Sequence, residues 1–156
     1  MSRRSVIKKR YPKPDSNYNS CLVSLLTARI LKSGKKSLAD SIILETFALI
    51  QEKTNLDPLQ VFEKAIQNIT PLVEVKARRI GGSTYQVPLE VSRYRGTNLA
   101  LRWLIAAAKA RAGRTISIKL ASEIIDASNN VGNAMRKREE THRMAEANKA
   151  FAHFRY

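Results

Sequence analysis

The sequence is poor in the residues that form disulfides and metal centres. It holds one cysteine, Cys21, and two histidines among 156 residues. A single cysteine excludes an internal disulfide and a zinc site built on several cysteines. His142 and His153 are 11 residues apart, which is not the three- or four-residue spacing of a helical metal pair. We therefore expect no metal and no cofactor. We interpret Cys21, which lies in an apolar helical pattern, as a packed small hydrophobic residue rather than a nucleophile.

Long apolar runs are also missing. No stretch approaches the ~20 residues that are needed to span a bilayer, and no segment has the apolar centre of a signal peptide. These absences predict a soluble protein. A transit peptide would be basic and rich in serine, but the first predicted helix begins too near residue 1 to leave room for one.

Motifs for catalysis are absent as well. No glycine-rich phosphate loop of the Walker or dinucleotide type occurs, because Gly81-Gly82 lacks the required context of strand, turn and helix. Serine, histidine and acidic residues form no recognisable catalytic motif. We therefore predict no catalytic residues and a protein that is not an enzyme.

Acidic residues are scarce relative to basic ones. The chain has 13 Asp and Glu against 28 Lys and Arg, which gives a formal net charge of +15. Self-repulsion at this charge favours a polyanionic partner, with nucleic acid as the first choice and an anionic membrane surface as the second. The charges are grouped: residues 1–36 and 75–119 each carry ten basic side chains and one acid, whereas residues 37–74 carry two against six. This grouping predicts a defined basic face with a neutral or acidic back.

A β-hairpin is predicted at about residues 72–91. Apolar residues alternate with polar ones on both sides of Gly81-Gly82, which can adopt the positive φ of a tight turn. This period of two predicts a strand pair with one buried face. Lys76, Arg78 and Arg79 would lie on or near the polar face and suit the groove of a polyanion. The alternative is a solvated edge that is kept soluble by charge.

Helical periodicity and capping signals cover most of the remaining chain. The predicted helices run from about Asn19 to Ser33 with Gly34 as a stop, from a capping box at Ser37 to about Lys53, from an N-cap at Asp57 to Pro71, and from about Ser92 to Arg111. Helix five is predicted after a basic turn of Arg111, Gly113 and Arg114, with Ile118, Ala121, Ile124 and Ile125 on its apolar face, up to Ser128-Asn129-Asn130. The last helix is predicted from about Gly132 to Phe154. The expected fold is mainly α, a six-helix domain with a protruding β-hairpin between helices three and four. Residues 1–18 are predicted as a basic N-terminal arm and residues 19–156 as a single helical domain.

Three further basic groups are candidates for contact with a polyanion. The arm carries Arg3, Arg4, Lys8, Lys9 and Arg10 and is expected to fold on its partner. Lys35 and Lys36 precede helix two, where free N–H groups favour phosphate. The last helix carries Arg136, Lys137, Arg138 and Arg143, of which Arg143 can also pair with Glu139. Trp103 could stack on a base, but its apolar neighbours favour a place in the core.

Three motifs occur in an order that resembles a known family. They are KARRIGGSTYQVP at residues 76–88, LALRWL at 99–104 and ETHRMAEANKAFAHFR at 140–155. Together they resemble the seventh protein of the small ribosomal subunit, bacterial type, over roughly residues 20–156. The resemblance implies a helical domain with a protruding hairpin and no membrane partner.

The resemblance also implies a function and a set of sites. It implies a primary binder of the 3′ major domain of 16S-type rRNA that nucleates assembly of the head. The hairpin would lie near the mRNA exit path and the exit-site tRNA, and the neighbours would be other head proteins and the eleventh small-subunit protein. The implied RNA-binding residues are Lys35, Lys36, Lys76, Arg78, Arg79, the tip with Gly81, Gly82 and Tyr85, and a second basic surface with Arg95, Arg102, Arg111 and Arg114.

Two alternative functions and two possible sources of the ribosome remain open from the sequence alone. A helical DNA-binding protein with a β-wing would share the charge and the hairpin, but no helix concentrates Asn, Gln and Arg as a recognition face. An enzyme that modifies RNA would need a nucleophile or cofactor loop that the sequence does not present. The Ser-Thr after Gly82 and the run REETHR at 138–143 resemble plastid and cyanobacterial members. We therefore expect a plastid ribosome first and the bacterial cytoplasm second.

Overall fold

The computed structural model of the protein describes residues 12–154. The described part contains six α-helices, two strands and a final 3-10 helix: α1 Cys21–Ile30, α2 Lys36–Thr54, α3 Pro58–Ile69, β1 Val73–Ile80, β2 Ser83–Glu90, α4 Arg93–Ala110, α5 Ile116–Ser128, α6 Asn133–Ala147 and the 3-10 helix Lys149–Phe154. The strands form one antiparallel hairpin between α3 and α4. The predicted fold class is therefore confirmed.

Helix α5 lies at the centre of the helical core. It packs against α2, α3, α4 and α6. Among the described residues, the largest side chains with less than 2% exposure come from α1 to α5, apart from Val87 of β2, and include Phe47, Phe62, Leu101, Leu120 and Ile124. Removing each such side chain from water contributes roughly 1.5–3 kcal/mol. Local helical contacts thus build a core to which the hairpin is attached from outside.

The residues just before α1 pack onto this core. Asp15 accepts a hydrogen bond from the backbone N–H of Asn17 at 3.0 Å, which closes a turn. The ring of Tyr18 then meets Phe47 edge-on, with 4.8 Å between the ring centroids. Burial, followed by the nearby charges of Asp15 and Asp57, raises the pKa of the Tyr18 phenol. Tyr18, the last residue of the predicted arm, therefore packs on the helical core, whereas Arg3, Arg4, Lys8, Lys9 and Arg10 lie outside the described residues.

Helix boundaries agree with the prediction where a side chain caps the helix. Asp57 accepts from the N–H of Leu59 at 3.1 Å, and Pro58 is the first residue of α3, as expected. The capping box predicted at Ser37 is wrong. The N-cap of α2 is Lys35, two residues earlier, and no side chain caps the helix. Lys35 and Lys36 consequently stand at the helix start itself.

Three predictions about the first helix are also wrong. Helix α1 is shorter than expected because Ser20, with ψ of 128°, and Leu31, with ψ of 126°, are outside the helical region. Gly34, with φ of 74°, lies in the following turn rather than directly after the helix. Cys21 is exposed instead of packed, because as the first residue of α1 it precedes the buried stripe that begins at Val23.

The last helix is interrupted. It was expected to run to Phe154, but α6 ends at Ala147 and a separate 3-10 helix follows from Lys149. Asn148 marks the break, and its side-chain amide donates to the carbonyl of Met144 at 2.7 Å. Such a local bond competes with continuation of the helix. The break lets the 3-10 helix pack against β2.

Candidate RNA-binding surface

The hairpin turns where the glycines predicted it. Gly81 and Gly82 have φ of 56° and 92°, and a methyl group added to either would meet nothing within 4 Å. The tip therefore stands open to solvent. Lys76 and Arg79 are exposed on β1, whereas Arg78 is partly buried.

One face of the hairpin is the more buried, as the alternation predicts, but this face also carries Lys76 and Arg78, so the expectation that they lie on the polar face is wrong. Cross-strand pairing sets Lys76 opposite Val87 and Arg78 opposite Tyr85. Paired residues share a face, so two cations lie beside the buried Val87. A sequence pattern in each strand gives the alternation but not the register between strands.

The C-terminal elements pack along the hairpin. Helix α6 contacts both strands, and the 3-10 helix contacts β2. The rings of Tyr85 and Phe151 lie 5.2 Å apart. At the hairpin base, the N–H of Leu72 donates to Nε2 of His142 at 3.2 Å. Burial, followed by the charge of Arg138, lowers the pKa of His142, which suits a ring nitrogen that must accept. The position of the hairpin is thus fixed from outside its own strands.

The turn before α2 presents exposed cations at a helix start. Lys35 is the N-cap and Lys36 the first residue of α2, and both side chains are exposed. The unpaired N–H groups of the first turn add a partial positive charge at the same point. A cleft of about 460 Å³ is lined by Lys13 and Lys36 but also by Asp15 and Asp40, whose charges offset those of the two lysines. A phosphate therefore fits the outer side of the turn better than this cleft.

The predicted second basic surface divides into free and paired cations. Arg102 and Arg114 are exposed. Arg95 donates through Nε to both carboxylate oxygens of Glu74, at 2.7 and 2.9 Å, yet its side chain is still 58% exposed. Arg95 thus ties α4 to β1 and retains surface for a ligand.

Arg111 is part of an internal ion-pair cluster. Its guanidinium donates to Glu123 and Asp126 of α5. The Glu123 side chain has no exposed surface, and its other oxygen accepts the N–H of Ala134 at 2.9 Å in the first turn of α6. Burial by itself lowers the pKa of Arg111, but the hydrogen bonds to Asp126 and Glu123 outweigh it and raise that pKa overall. Arg111 therefore neutralises the carboxylate that caps α6.

The cations on α6 are likewise divided between exposed side chains and side chains that are paired within the protein. Arg136 and Arg143 are exposed. Lys137 pairs with Glu140 at 2.7 Å, both largely exposed, a contact worth at most about 1 kcal/mol. Arg138 is partly buried and donates to the backbone carbonyl of Asn68 in α3. Arg136, Lys137 and Arg143 thus offer charge at the surface, while Arg138 joins α6 to α3.

Sequence reasoning missed two cations that join Arg102 in one groove. Arg29 of α1 and Lys109 of α4 line it together with Arg102. Arg102 and Lys109 are seven residues apart, which places them on one helical face, so the pairing of these two cations could be predicted from the sequence. The approach of α1 to α4 was not visible there.

The described residues hold no structural sign of a metal centre or a membrane span. Within residues 12–154, no group of three or more His, Cys, Asp or Glu is placed to hold a metal ion. No helix in that range is both long enough and apolar enough to cross a bilayer. Trp103 is partly buried and packs against the core, in keeping with its interpretation as a core residue.

The protein has a six-helix core, a cationic hairpin and several exposed basic turns. These features place it in the class of basic nucleic-acid-binding scaffold proteins. Comparison with known proteins identifies the family. The profile of "Ribosomal protein S7p/S5e" matches residues 2–149. "Small ribosomal subunit protein uS7" of Arthrospira platensis is 62% identical over 156 residues, and that of Synechocystis sp. is 64% identical over 156 residues, each over the whole of both chains. The protein of the same name from Microcystis aeruginosa is 61% identical over the same length.

The chain belongs to the ribosomal protein S7p/S5e family. It is a structural, non-enzymatic component of the small ribosomal subunit that binds rRNA. The resemblance derived from the three sequence motifs is confirmed at this level.

Proposed function

We propose that the protein is a primary binder of the 3′ major domain of 16S-type rRNA and nucleates assembly of the subunit head. Family membership supports rRNA as the partner, and the observation that carries the finer proposal is the placement of exposed cations at fixed helix ends and on one hairpin. Lys35 and Lys36 at the start of α2 present charge in a geometry set by the helical core. RNA helices are recognised mainly through shape and backbone, so fixed charges select one folded junction.

In this proposal the chain acts as a scaffold. Lys and Arg side chains replace counterions that are condensed on RNA phosphates, and the release of these ions drives binding. A site that uses about 6 to 10 phosphates loses roughly three to five powers of ten in affinity between 50 and 200 mM salt.

The hairpin has a second role in the proposal. Its open glycine tip and the exposed Lys76 and Arg79 would lie near the mRNA exit path and the exit-site tRNA. Contact with a moving RNA has to be loose, which suits isolated exposed cations better than a tight pocket. The neighbouring proteins would be other head proteins and the eleventh small-subunit protein, and the ribosome would be that of a plastid or, alternatively, of a bacterium. The high identity to cyanobacterial relatives supports both of these origins.

Binding of the purified chain to a 3′ major domain fragment tests the proposal. The competitors are bulk RNA and duplex DNA, and each is measured at several salt concentrations. We expect binding to the fragment to survive competitor at moderate salt. Equal binding to all three polyanions would refute the proposed specificity, and a preference for duplex DNA would favour a DNA-binding protein with a β-wing.

Two charge-reversal pairs test the division of roles. Lys35→Glu with Lys36→Glu should weaken binding to the fragment by at least tenfold, because both charges act at the junction. Lys76→Glu with Arg79→Glu should change this affinity less and instead raise frameshifting in subunits reconstituted with the variant. Arg78 is left in place because it is partly buried opposite Tyr85. Equal affinity losses from the two pairs would contradict separate roles.

A further inference from the structure

A groove between α1 and α4 carries three cations. Its volume is about 470 Å³, and it is lined by Ala28 and Arg29 of α1 and by Arg102, Ile105, Ala106 and Lys109 of α4. The four residues from α4 recur at intervals of three, four and seven and so form one face of the helix. None of these lining residues is acidic. Ala28 and Ala106 have small exposed side chains, which leave the space between the cations open.

Arg29 is held in a fixed orientation in this groove. Its guanidinium donates to Oδ1 of Asn98, and the amide nitrogen of Asn98 donates to the carbonyl of Tyr94 at 2.8 Å. Nε of Arg29 is buried and has no hydrogen-bond partner among the described residues. A buried donor without a hydrogen-bond partner is energetically unfavourable.

The length of the groove favours a strand rather than a small ion. A rise of 1.5 Å per residue separates Arg102 and Lys109 by roughly 10 Å along the axis of α4. A single free phosphate cannot reach both ends of that span. Successive phosphates of one RNA strand can, and the flexible stems of Arg102 and Lys109 let their charges follow the backbone.

We propose that this groove binds the sugar–phosphate backbone of an rRNA strand, with Arg29 and Lys109 as contacts beside Arg102. The inference rests on the proposed function and extends the basic surface at Arg102 to Arg29 and Lys109, which belong neither to the hairpin nor to the turn before α2. Arg29 provides a preset guanidinium fork, and Arg102 and Lys109 replace counterions along the strand.

The first test neutralises the two exposed cations. Arg102→Gln with Lys109→Gln should lower the affinity for the 3′ major domain fragment about tenfold or more and reduce the salt slope by roughly 1.4 to 1.8, since two phosphate contacts are lost. The matched control is Lys53→Gln with Lys64→Gln, which removes the same charge from exposed sites on α2 and α3. The control should change affinity less than threefold. Circular dichroism and thermal unfolding establish that both variants fold.

The second test changes the orientation of Arg29 without changing any charge. Asn98→Ala removes the acceptor of Arg29, and the control Thr97→Ala removes a neighbouring side-chain bond of the same type, from Thr97 to the carbonyl of Arg93 at 3.0 Å. Asn98→Ala should lower affinity about three- to tenfold with an unchanged salt slope, and Thr97→Ala should leave both unchanged.

The outcomes separate this site from the proposed function. If the wild-type chain binds the fragment specifically while the neutralised pair behaves like its control, the groove is not an RNA site and the proposed function stands. If Asn98→Ala and Thr97→Ala bind the rRNA fragment with equal affinity, the proposed role of Arg29 as an oriented phosphate contact is wrong. If the wild-type chain does not prefer the fragment over bulk RNA, the proposed function fails and the groove proposal fails with it.

Discussion

Replacing Arg111 should destabilise the fold strongly, although Arg111 has the residue type and position of an RNA contact. Arg111→Met keeps the apolar stem and removes the charge that faces the fully buried Glu123. Loss of one partner of a buried pair costs about 3–5 kcal/mol, because the other charge stays buried and uncompensated. We expect about 3 kcal/mol, the lower end, because 22% of the Arg111 side chain is exposed. The free energy of unfolding, measured by urea titration at pH 7, checks this value.

A second variant distinguishes the buried charge from lost packing. Glu123→Gln retains an oxygen that can accept the N–H of Ala134 but carries no charge. The double variant Arg111→Met with Glu123→Gln should therefore recover about 2 kcal/mol relative to Arg111→Met alone, since no unpaired charge is left inside. It should also bind the rRNA fragment within about threefold of wild type. If the losses in free energy of unfolding from the two single variants simply add in the double variant, the ion-pair explanation is wrong. If the double variant folds but binds RNA much more weakly than wild type, Arg111 is a direct RNA contact.

Three further perturbations test the packing around the hairpin. Because the pKa of His142 is lowered in the folded state, the unfolded chain binds a proton first as the pH falls, so the free energy of unfolding should fall below about pH 6.5 and level off below the folded-state pKa. His142→Gln should flatten this pH dependence in urea titrations. An unchanged slope would rule out His142 as the source of the pH dependence. Phe151→Ala removes the ring beside Tyr85 and should raise amide hydrogen exchange in β2 while α5 keeps its protection; uniform protection would contradict the packing. Gly96→Ala places a methyl group 2.9 Å from Cγ2 of Thr70 and should cost about 1–3 kcal/mol despite the better helix propensity; Thr70→Ser should relieve the loss, and a stabilised single variant would show that the contact yields freely.

Features set by neighbouring residues in the chain could be predicted from the sequence, and features set by packing could not. Asp57 and Pro58 mark the start of α3 through local bonds, and Gly81-Gly82 mark the turn through φ alone. The number of helices and the position of the hairpin followed from such signals and from the family motifs.

The errors lie where distant segments meet. The exposure of Cys21 depends on which turn of α1 reaches the core, and the place of Lys76 and Arg78 on the more buried face of the hairpin depends on the register between strands. The ion pairs of Arg111 join the residue that follows α4 to two carboxylates of α5, so its type and position alone suggested a free cation. The same limit hid Arg29, which is distant in sequence from the α4 cations that line its groove.

The packing of the 3-10 helix on β2 sets an order of events during synthesis. The hairpin ends at Glu90, α6, which also contacts it, begins at Asn133, and the 3-10 helix that packs on β2 begins only at Lys149. At a synthesis rate of roughly 5–20 residues per second, the 3-10 helix follows the hairpin by about 3 to 12 s. Throughout that interval the nascent hairpin lacks the ring of Phe151 against Tyr85. A newly made chain therefore acquires its fixed hairpin as one of its last folding steps, after the helical core has had time to close.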